Sequence, residues 1–299
     1  MVRTCLICNP TAGRGAARKK LARIVDYFAD VGVKDVLYTR AARDEERVTR
    51  AALELQCQTI VVVGGDGTCS GVANALLASG TDCALSVVPA GTGNDFAKTL
   101  GVRNMPAAEI AQLVAAGRKT QIDVGRVDNR YFINSCGFGF DASVLEATQS
   151  VSFLKGDALY IYAALKQLFG YRGFPVTVNG THDETTKELL MVTVSNGQFL
   201  GGAFHIAPVA SVLDGALDVC LVRDASVLQR VRLFASAFRG THGRLPSVKA
   251  FQTPGISLVF ASPPAIELDG ELRQAKSREV TIECVSRSLS VIASPGARL

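Results

Sequence analysis

Short apolar runs alternate with amphipathic segments over the first hundred residues. Val2–Cys8, Val36–Thr39, Thr59–Val63 and Leu85–Val88 are mostly apolar at successive positions. That pattern predicts strands covered on both faces of a parallel sheet. Between them lie segments of helical period. A basic one after Gly15 carries Leu21, Ile24, Val25 and Phe28 on one side, Asp44–Leu55 reads as charged and exposed, and Ser70–Leu77, Asn94–Leu100 and Ala107–Ala116 follow. Strictly alternating strands and helices predict a doubly wound α/β domain over residues 1–121.

Near Gln121 the pattern changes. Ile122–Val127, Arg130–Asn134, Pro175–Val178, Leu189–Ser195, Leu217–Val222, Ser257–Phe260, Ala265–Leu268 and Val280–Cys284 alternate or are β-branched, which predicts a β-rich domain over 122–286. Ala158–Phe169 and Ser226–Arg239 interrupt it as helices. The second has Leu228, Val231, Phe234, Ala235 and Phe238 at helical spacing, Ser226 as N-cap and Gly240 beyond its end. Asp183–Lys187 and Gly240–Gly255 read as loop.

Glycine-rich turns follow three of the predicted strands: NPTAGRG at Asn9–Gly15, GGDGT at Gly64–Thr68 and PAGTGND at Pro89–Asp95. Glycine lets the backbone come close to a ligand. The helix starts behind the turns offer unpaired N–H groups and the positive end of a dipole, a ready phosphate site. Asp66 would repel phosphate unless Mg²⁺ lies between them. The turns fit neither GxxxxGK[ST] nor a full GxGxxG, which disfavours P-loop and Rossmann dinucleotide sites. Tight strand–helix turns also need glycine for structure alone, so the pattern leaves both uses open.

Composition narrows the class. The chain has 299 residues, 48% apolar and 20% charged, with a net charge of +5. Its longest apolar run, Ala158–Leu165, is too short to span a bilayer. MVRTCLICNP is too short for a signal peptide before Asn9 and Pro10 interrupt it. A cytoplasmic protein, peripheral wherever it meets a membrane, is the expectation. The 8 cysteines are unclustered and mostly within strand-like runs, as buried free thiols would be; Cys5 and Cys8 have no second pair. His182, His205 and His242 have no metal-ligand spacing. Aromatic–basic interleaving is missing, which argues against nucleic acid.

GGDGT followed by PAGTGNDFA resembles the soluble diacylglycerol kinase-type lipid kinases, in a superfamily that includes NAD kinases and phosphofructokinases. GGDGT is shared across that superfamily; Pro89–Ala97 narrows the likeness to lipid kinases. NSCGFGFDA at Asn134–Ala142, SNGQFLGGAFHIAP at Ser195–Pro208, LDGALDV at Leu213–Val219 and ELDGE at Glu267–Glu271 extend it over most of the chain. The resemblance implies a β-sandwich-like second domain, a last strand near Ser288–Ala293 returning to complete the first domain with 287–299, and an active site in the cleft between domains. It implies ATP held by Asn9, Thr39, Gly64, Gly65, Asp66, Gly67, Thr68, Gly91, Thr92, Gly93 and Asn94. Mg²⁺ chemistry would fall to Asp66 and Asp95, with Asp123 supporting the site.

Phosphoryl transfer to an alcohol also needs a proton acceptor. Asp269 and Glu271 flank a glycine, so both carboxylates could converge on one point and raise one pKa; an Asp-Gly turn between strands is the plain alternative. The resemblance selects Glu271 as the base. It also implies a structural Mg²⁺ on Asp214 with the carbonyls of Ser211 and Ala216, although Leu213–Asp214 stands where the family has two acids.

The expected activity is transfer of the ATP γ-phosphoryl group to a membrane-lipid hydroxyl, diacylglycerol first. A sphingoid-base or other lipid kinase, or a silent nucleotide- or lipid-binding regulator, are the alternatives; NAD kinase fits PAGTGND and LDGE poorly. Between Arg223 and Lys249 stand Arg230, Arg232, Arg239 and Arg244 against one acid, Asp224. Salt-sensitive contact with an anionic membrane through Ser226–Arg239 is expected, and self-association as a homodimer is left open.

Overall fold

The computed structural model describes residues 3–149, 157–179 and 186–299. They cluster as two units, Met1–Ile122 with Arg287–Leu299, and Asp123–Ser286.

In the first unit the apolar runs pair in parallel. They are β1 (Thr4–Cys8), β2 (Asp35–Tyr38), β3 (Thr59–Gly64) and β4 (Ala84–Pro89), in spatial order β2–β1–β3–β4. β3 is buried at every position. Each of its valines contributes about 1.5–3 kcal/mol relative to an exposed one. Helices α1 (Arg18–Asp30), α2 (Glu45–Glu54), α3 (Asp66–Ser79), α4 (Asp95–Thr99) and α5 (Ala107–Ala116) connect or follow the strands. α1 buries Leu21, Ile24 and Phe28, and α2 buries Val48, Thr49 and Ala52, so the charged α2 is only half exposed.

Register aligns the turns. Cys8 pairs with Tyr38 and with Val63, and Val63 pairs with Val88. The residues that follow, Asn9, Thr39, Gly64 and Pro89, therefore leave the sheet at one level of its carboxyl edge. Strand order reverses between β1 and β3, and in open α/β sheets ligands bind beside such a switch point.

The chain enters the second unit along β5 (Thr120–Val127). The unit then contains β6 (Arg130–Phe132), β7 (Ser135–Gly139), α6 (Phe140–Gln149), α7 (Asp157–Gly170), β8 (Phe174–Asn179), β9 (Thr186–Ser195), β10 (Leu217–Arg223), α8 (Val227–Phe238), β11 (Val248–Thr253), β12 (Gly255–Phe260), β13 (Ala265–Leu268) and β14 (Glu271–Gln274). β15 (Glu279–Val291) pairs with β12 through its first half, and its Val291 pairs in parallel with Leu85 of β4. The other pairings are antiparallel: β9 meets β7, β8 and β10, and β13 meets β7 and β14.

Alternation, interrupted by a register shift that leaves Leu190 without a partner opposite it on β10, sorts the strands' side chains. Leu189, Val192, Val194, Leu217, Val219 and Leu221 face one core with Phe138, Leu258 and Ile282. Leu190, Met191, Cys220 and Val222 face the opposite way, against Ala163, Ala164 and Leu168 of α7 and Leu233 and Phe234 of α8. The unit is thus a strand layer filled from within and roofed by helices.

Three readings change. Gly240–Gly255 is not all loop: it holds a 3₁₀ turn at His242–Arg244 and β11, an edge strand whose partner is β10. Of the Asp183–Lys187 loop, residues up to 185 lie outside the described residues, and Thr186 and Lys187 begin β9. Arg230 does not face solvent. Its guanidinium donates to the carbonyls of Leu168 (3.0 Å) and Tyr171 (2.7 Å) at the end of α7 and to Asp224 (2.5 Å). A cation there satisfies carbonyls that a helix C-terminus leaves unpaired, so Arg230 joins α8 to α7.

Candidate functional site

The three turns of the first unit meet. Asn9 donates from Nδ2 to Thr68 Oγ1 at 2.9 Å, across the switch point, while its Oδ1 accepts the Thr11 N–H at 3.0 Å. Gly65 and Gly91 touch backbone to backbone; a Cβ on Gly91 would lie 2.4 Å from the Gly65 Cα. That approach excludes any side chain, so these two glycines are required by packing as well as by any ligand.

The third turn is closed on itself. Asn94 takes a left-handed conformation (φ 51°), accepts the Gly91 N–H and donates to the Gly91 carbonyl, each at 3.0 Å. Asparagine tolerates that conformation better than most residues. Asp66, at the first position of α3, accepts the Phe96 N–H at 3.1 Å and so joins the second turn to the third. Thr39 is buried, with its N–H on the Cys8 carbonyl. Gly64 ends β3, Gly67 lies in the first turn of α3, and Thr92 and Gly93 lie in the third turn between Gly91 and Asn94.

Asp95 has another duty. It is buried and ion-paired with Lys98 at 2.5 Å, both side chains nearly enclosed. The carboxylate read as a Mg²⁺ candidate thus pairs through Oδ1 with a cation one turn along α4.

In the second unit Asp269 and Glu271 do not converge. Asp269 sits at φ 48°, buried, and its carboxylate accepts the N–H groups of Ile133 (2.9 Å), Asn134 (2.8 Å) and Ser135 (3.1 Å). Its carboxyl group fills a nest of backbone donors. Glu271 opens β14, keeps 35% of its side chain exposed and pairs with Arg273 at 2.6 Å.

A polar chain runs on from that nest. Asn196 donates to the carbonyls of Ile133 and Asp123, both at 3.0 Å. Asp123, also buried, accepts the Gly215 N–H at 2.7 Å. Asp214 accepts the Ala216 N–H at 3.1 Å and the Gln252 amide at 3.1 Å, and Ser211 Oγ accepts the Leu213 N–H at 3.2 Å. The 211–216 turn is thus closed by its own hydrogen bonds. Gln252 also reaches Asp218, whose carboxyl is held above its ordinary range by burial, with nearby Asp214 adding to the effect. Among the described residues no three His, Cys, Asp or Glu side chains form a metal-ligating group.

Sequence reasoning named neither Asn196 nor Asp141 as site residues, though SNGQ and NSCGFGFDA contained them. Asp141 lies on α6 and accepts the Thr193 hydroxyl at 2.5 Å; a Cβ on Gly137 would fall 2.7 Å from its Oδ2. Burial pushes this carboxyl up to about 7, against a smaller downward pull from Thr193. In the unfolded chain it titrates near 3.8. The folded state therefore keeps a proton the unfolded chain releases, and its contribution is complete below about pH 4 and lost as pH rises through about 7. Asp141→Asn should flatten that slope. Urea melts at about pH 5 and about pH 8 should show wild type losing more stability than the variant; equal losses would remove the assignment.

Residues 3–127 match the family model described as the diacylglycerol kinase catalytic domain, and residues 134–293 match the YegS C-terminal NAD kinase beta sandwich-like domain. A Mycobacterium tuberculosis protein named diacylglycerol kinase is 30% identical over 282 residues, covering 89% of this chain and 90% of that protein. A Pseudomonas putida protein named probable lipid kinase YegS-like is 32% identical over 267 residues, covering 88% and 87%. The crystal structure of a diacylglycerol kinase from Bacillus anthracis str. Sterne superposes with a TM-score of 0.75 at 23% identity over 99% of this chain and 98% of that one, a likeness of fold.

Proposed function

This chain belongs to the diacylglycerol kinase and YegS-like lipid kinase family, and from that premise we propose that it transfers the γ-phosphoryl group of ATP to a membrane-lipid hydroxyl, diacylglycerol first, giving phosphatidic acid. The observation that carries the reading is the meeting of three glycine turns at the switch point of a parallel sheet, tied by Asn9–Thr68 and by the Gly65–Gly91 contact.

The cradle fits a triphosphate. Its floor is bare backbone where a Cβ would collide, and α3 and α4 begin from it. Asp66 at the start of α3 suits Mg²⁺ held by one carboxylate together with phosphate oxygens and water, an arrangement that needs no protein cage. Bound Mg²⁺ would neutralise charge on the transferring group. Asn9 and Thr68 hold the first two turns together, and Asn94 fixes the shape of the third. Glu271 is the proton acceptor for the lipid hydroxyl. Asp269 and Asp123 are positioning residues, holding the Ile133–Ser135 segment and the 211–216 turn.

The test is turnover of γ-labelled ATP with diacylglycerol, a sphingoid base and other lipid alcohols in parallel. Label appearing in phosphatidic acid is the expected result. Label in another lipid alone would move the acceptor, and label in none, with ATP still bound, would replace catalysis with a binding role.

A further inference from the structure

The second unit contains a cavity that phosphoryl transfer does not use. It measures about 320 Å³ and is walled by α6, the start of β8, the end of β12 and the start of β13. That volume falls within the range of small-molecule sites. Gly139 and Ala265 on its wall are the ends of β7 and β13 far from the Asp269 nest. Gly139 is roughly 13 Å along β7 from Ser135 of that nest, so an occupant here is not the hydroxyl that accepts phosphate.

Three aromatic rings and one charge shape the cavity. Tyr171, Phe174 and Phe260 line it, and Glu146 of α6 is the one charged residue on its wall; alanine, proline, serine and glycine supply the rest. The rings are fixed from behind. Phe174 stacks on Phe260 with centroids 5.9 Å apart, and Phe260 lies 5.2 Å from Phe138. Phe140 meets Tyr171 edge-on at 6.0 Å. Phe174 lies over Gly139, where a Cβ would fall 2.1 Å from the ring, so a side chain at that position would displace it. Glu146 is exposed, with no ion pair to another described residue. A second acid stands behind the wall: burial raises the pKa of Tyr171, and nearby Asp141 adds to the effect.

Ring faces beside a carboxylate attract a cation. The walls also restrict its kind. A primary ammonium carries three N–H donors, and beyond Glu146 these walls are mostly apolar, so its donors would lose water and stay unbonded. A quaternary ammonium has no N–H, and its methyl groups suit aromatic and alanine surfaces. We propose that this cavity binds a quaternary ammonium group of choline type, its methyl groups against Tyr171, Phe174 and Phe260 and its charge facing Glu146. The site is separate from the phosphate cradle, and its test reads binding alone, so it stands or falls apart from the lipid-kinase reading. A soluble choline compound and a choline-headed lipid both carry the group.

The full chain is titrated with choline, ethanolamine and neohexanol, and binding is followed by NMR through the ring resonances of Phe174 and Tyr171. Neohexanol has the shape of choline with carbon in place of the charged nitrogen; ethanolamine has the charge with N–H donors. Choline should bind about fivefold or more tightly than neohexanol, and more tightly than ethanolamine. Glu146→Gln should weaken choline about threefold and leave neohexanol unchanged. Phe174→Leu keeps an apolar wall but removes a ring face, and should also weaken choline about threefold. Because Glu146 is exposed, its variant should melt like wild type; a thermal melt of Phe174→Leu checks that protein separately.

Equal affinity for choline and neohexanol would overturn the proposal, as would choline binding that Glu146→Gln leaves untouched. Shifts confined to the glycine turns of the first unit, or no shift at all, would do the same. Displacement of choline by glycerophosphocholine supports the site with a soluble occupant. Displacement by phosphatidylcholine vesicles alone supports it with a lipid head.

Discussion

Asp66→Asn is expected to lower phosphoryl transfer about a thousandfold or more while the protein stays folded. The bland alternative for Asp66 is electrostatic: an acid at the first position of α3 stabilises the helix by about 0.3–1 kcal/mol. Asparagine separates the two roles. Its amide oxygen can still accept the Phe96 N–H that Asp66 Oδ1 accepts at 3.1 Å, so the second and third turns remain joined. What disappears is the negative charge. If that charge serves only the helix dipole, the variant melts a few degrees lower at most and turns over as before. If it shares Mg²⁺ with phosphate, turnover collapses at saturating Mg²⁺ and the melting temperature hardly moves. Labelled-ATP turnover and a thermal melt on the same preparation decide the matter; near-wild-type activity would remove the metal role.

The legible parts of this molecule are those where local pattern and tertiary demand agree. The continuous apolar runs became β1, β3 and β4 because strands buried on both faces are filled mostly by apolar side chains. The glycine turns stood out for the same reason that they matter, since Gly65 and Gly91 meet where no side chain fits. β11 was missed because VKAFQT is an edge strand, half exposed and without a clean alternation. Arg230 was misread because helical periodicity scores arginine as a solvent residue, whereas its partners are carbonyls 59 and 62 residues earlier in the chain. The Asp269–Glu271 spacing misled similarly. Two acids flanking a glycine can share a point in an extended strand. At φ 48° Asp269 instead turns its carboxylate into the N–H groups of residues 133–135, a contact set by chain segments over 130 residues apart.

That division of labour yields the other large expected effect. Glu271→Gln should reduce kcat about 10²–10⁴-fold with the KM for ATP within about twofold of wild type, because a lost proton acceptor affects the chemical step and not nucleotide binding. The substitution keeps size and hydrogen-bonding shape, and the ion pair it breaks is a partly exposed one with Arg273, of a kind worth about 0–1 kcal/mol. Stability should therefore be nearly unchanged. Asp269→Ala provides the contrast, since it strips the acceptor from three buried N–H groups and should cost about 3 kcal/mol or more. Its loss of activity should follow its loss of folded protein and recover partly on cooling, whereas that of Glu271→Gln should not. Stopped assays across ATP concentration, with a urea melt for each variant, separate the cases. A Glu271→Gln enzyme with weakened ATP binding and intact kcat would make the residue a nucleotide contact and place the base elsewhere. Activity lost in Asp269→Ala but not in Glu271→Gln, in protein shown to be folded, would give the catalytic role to the inward-facing carboxylate instead.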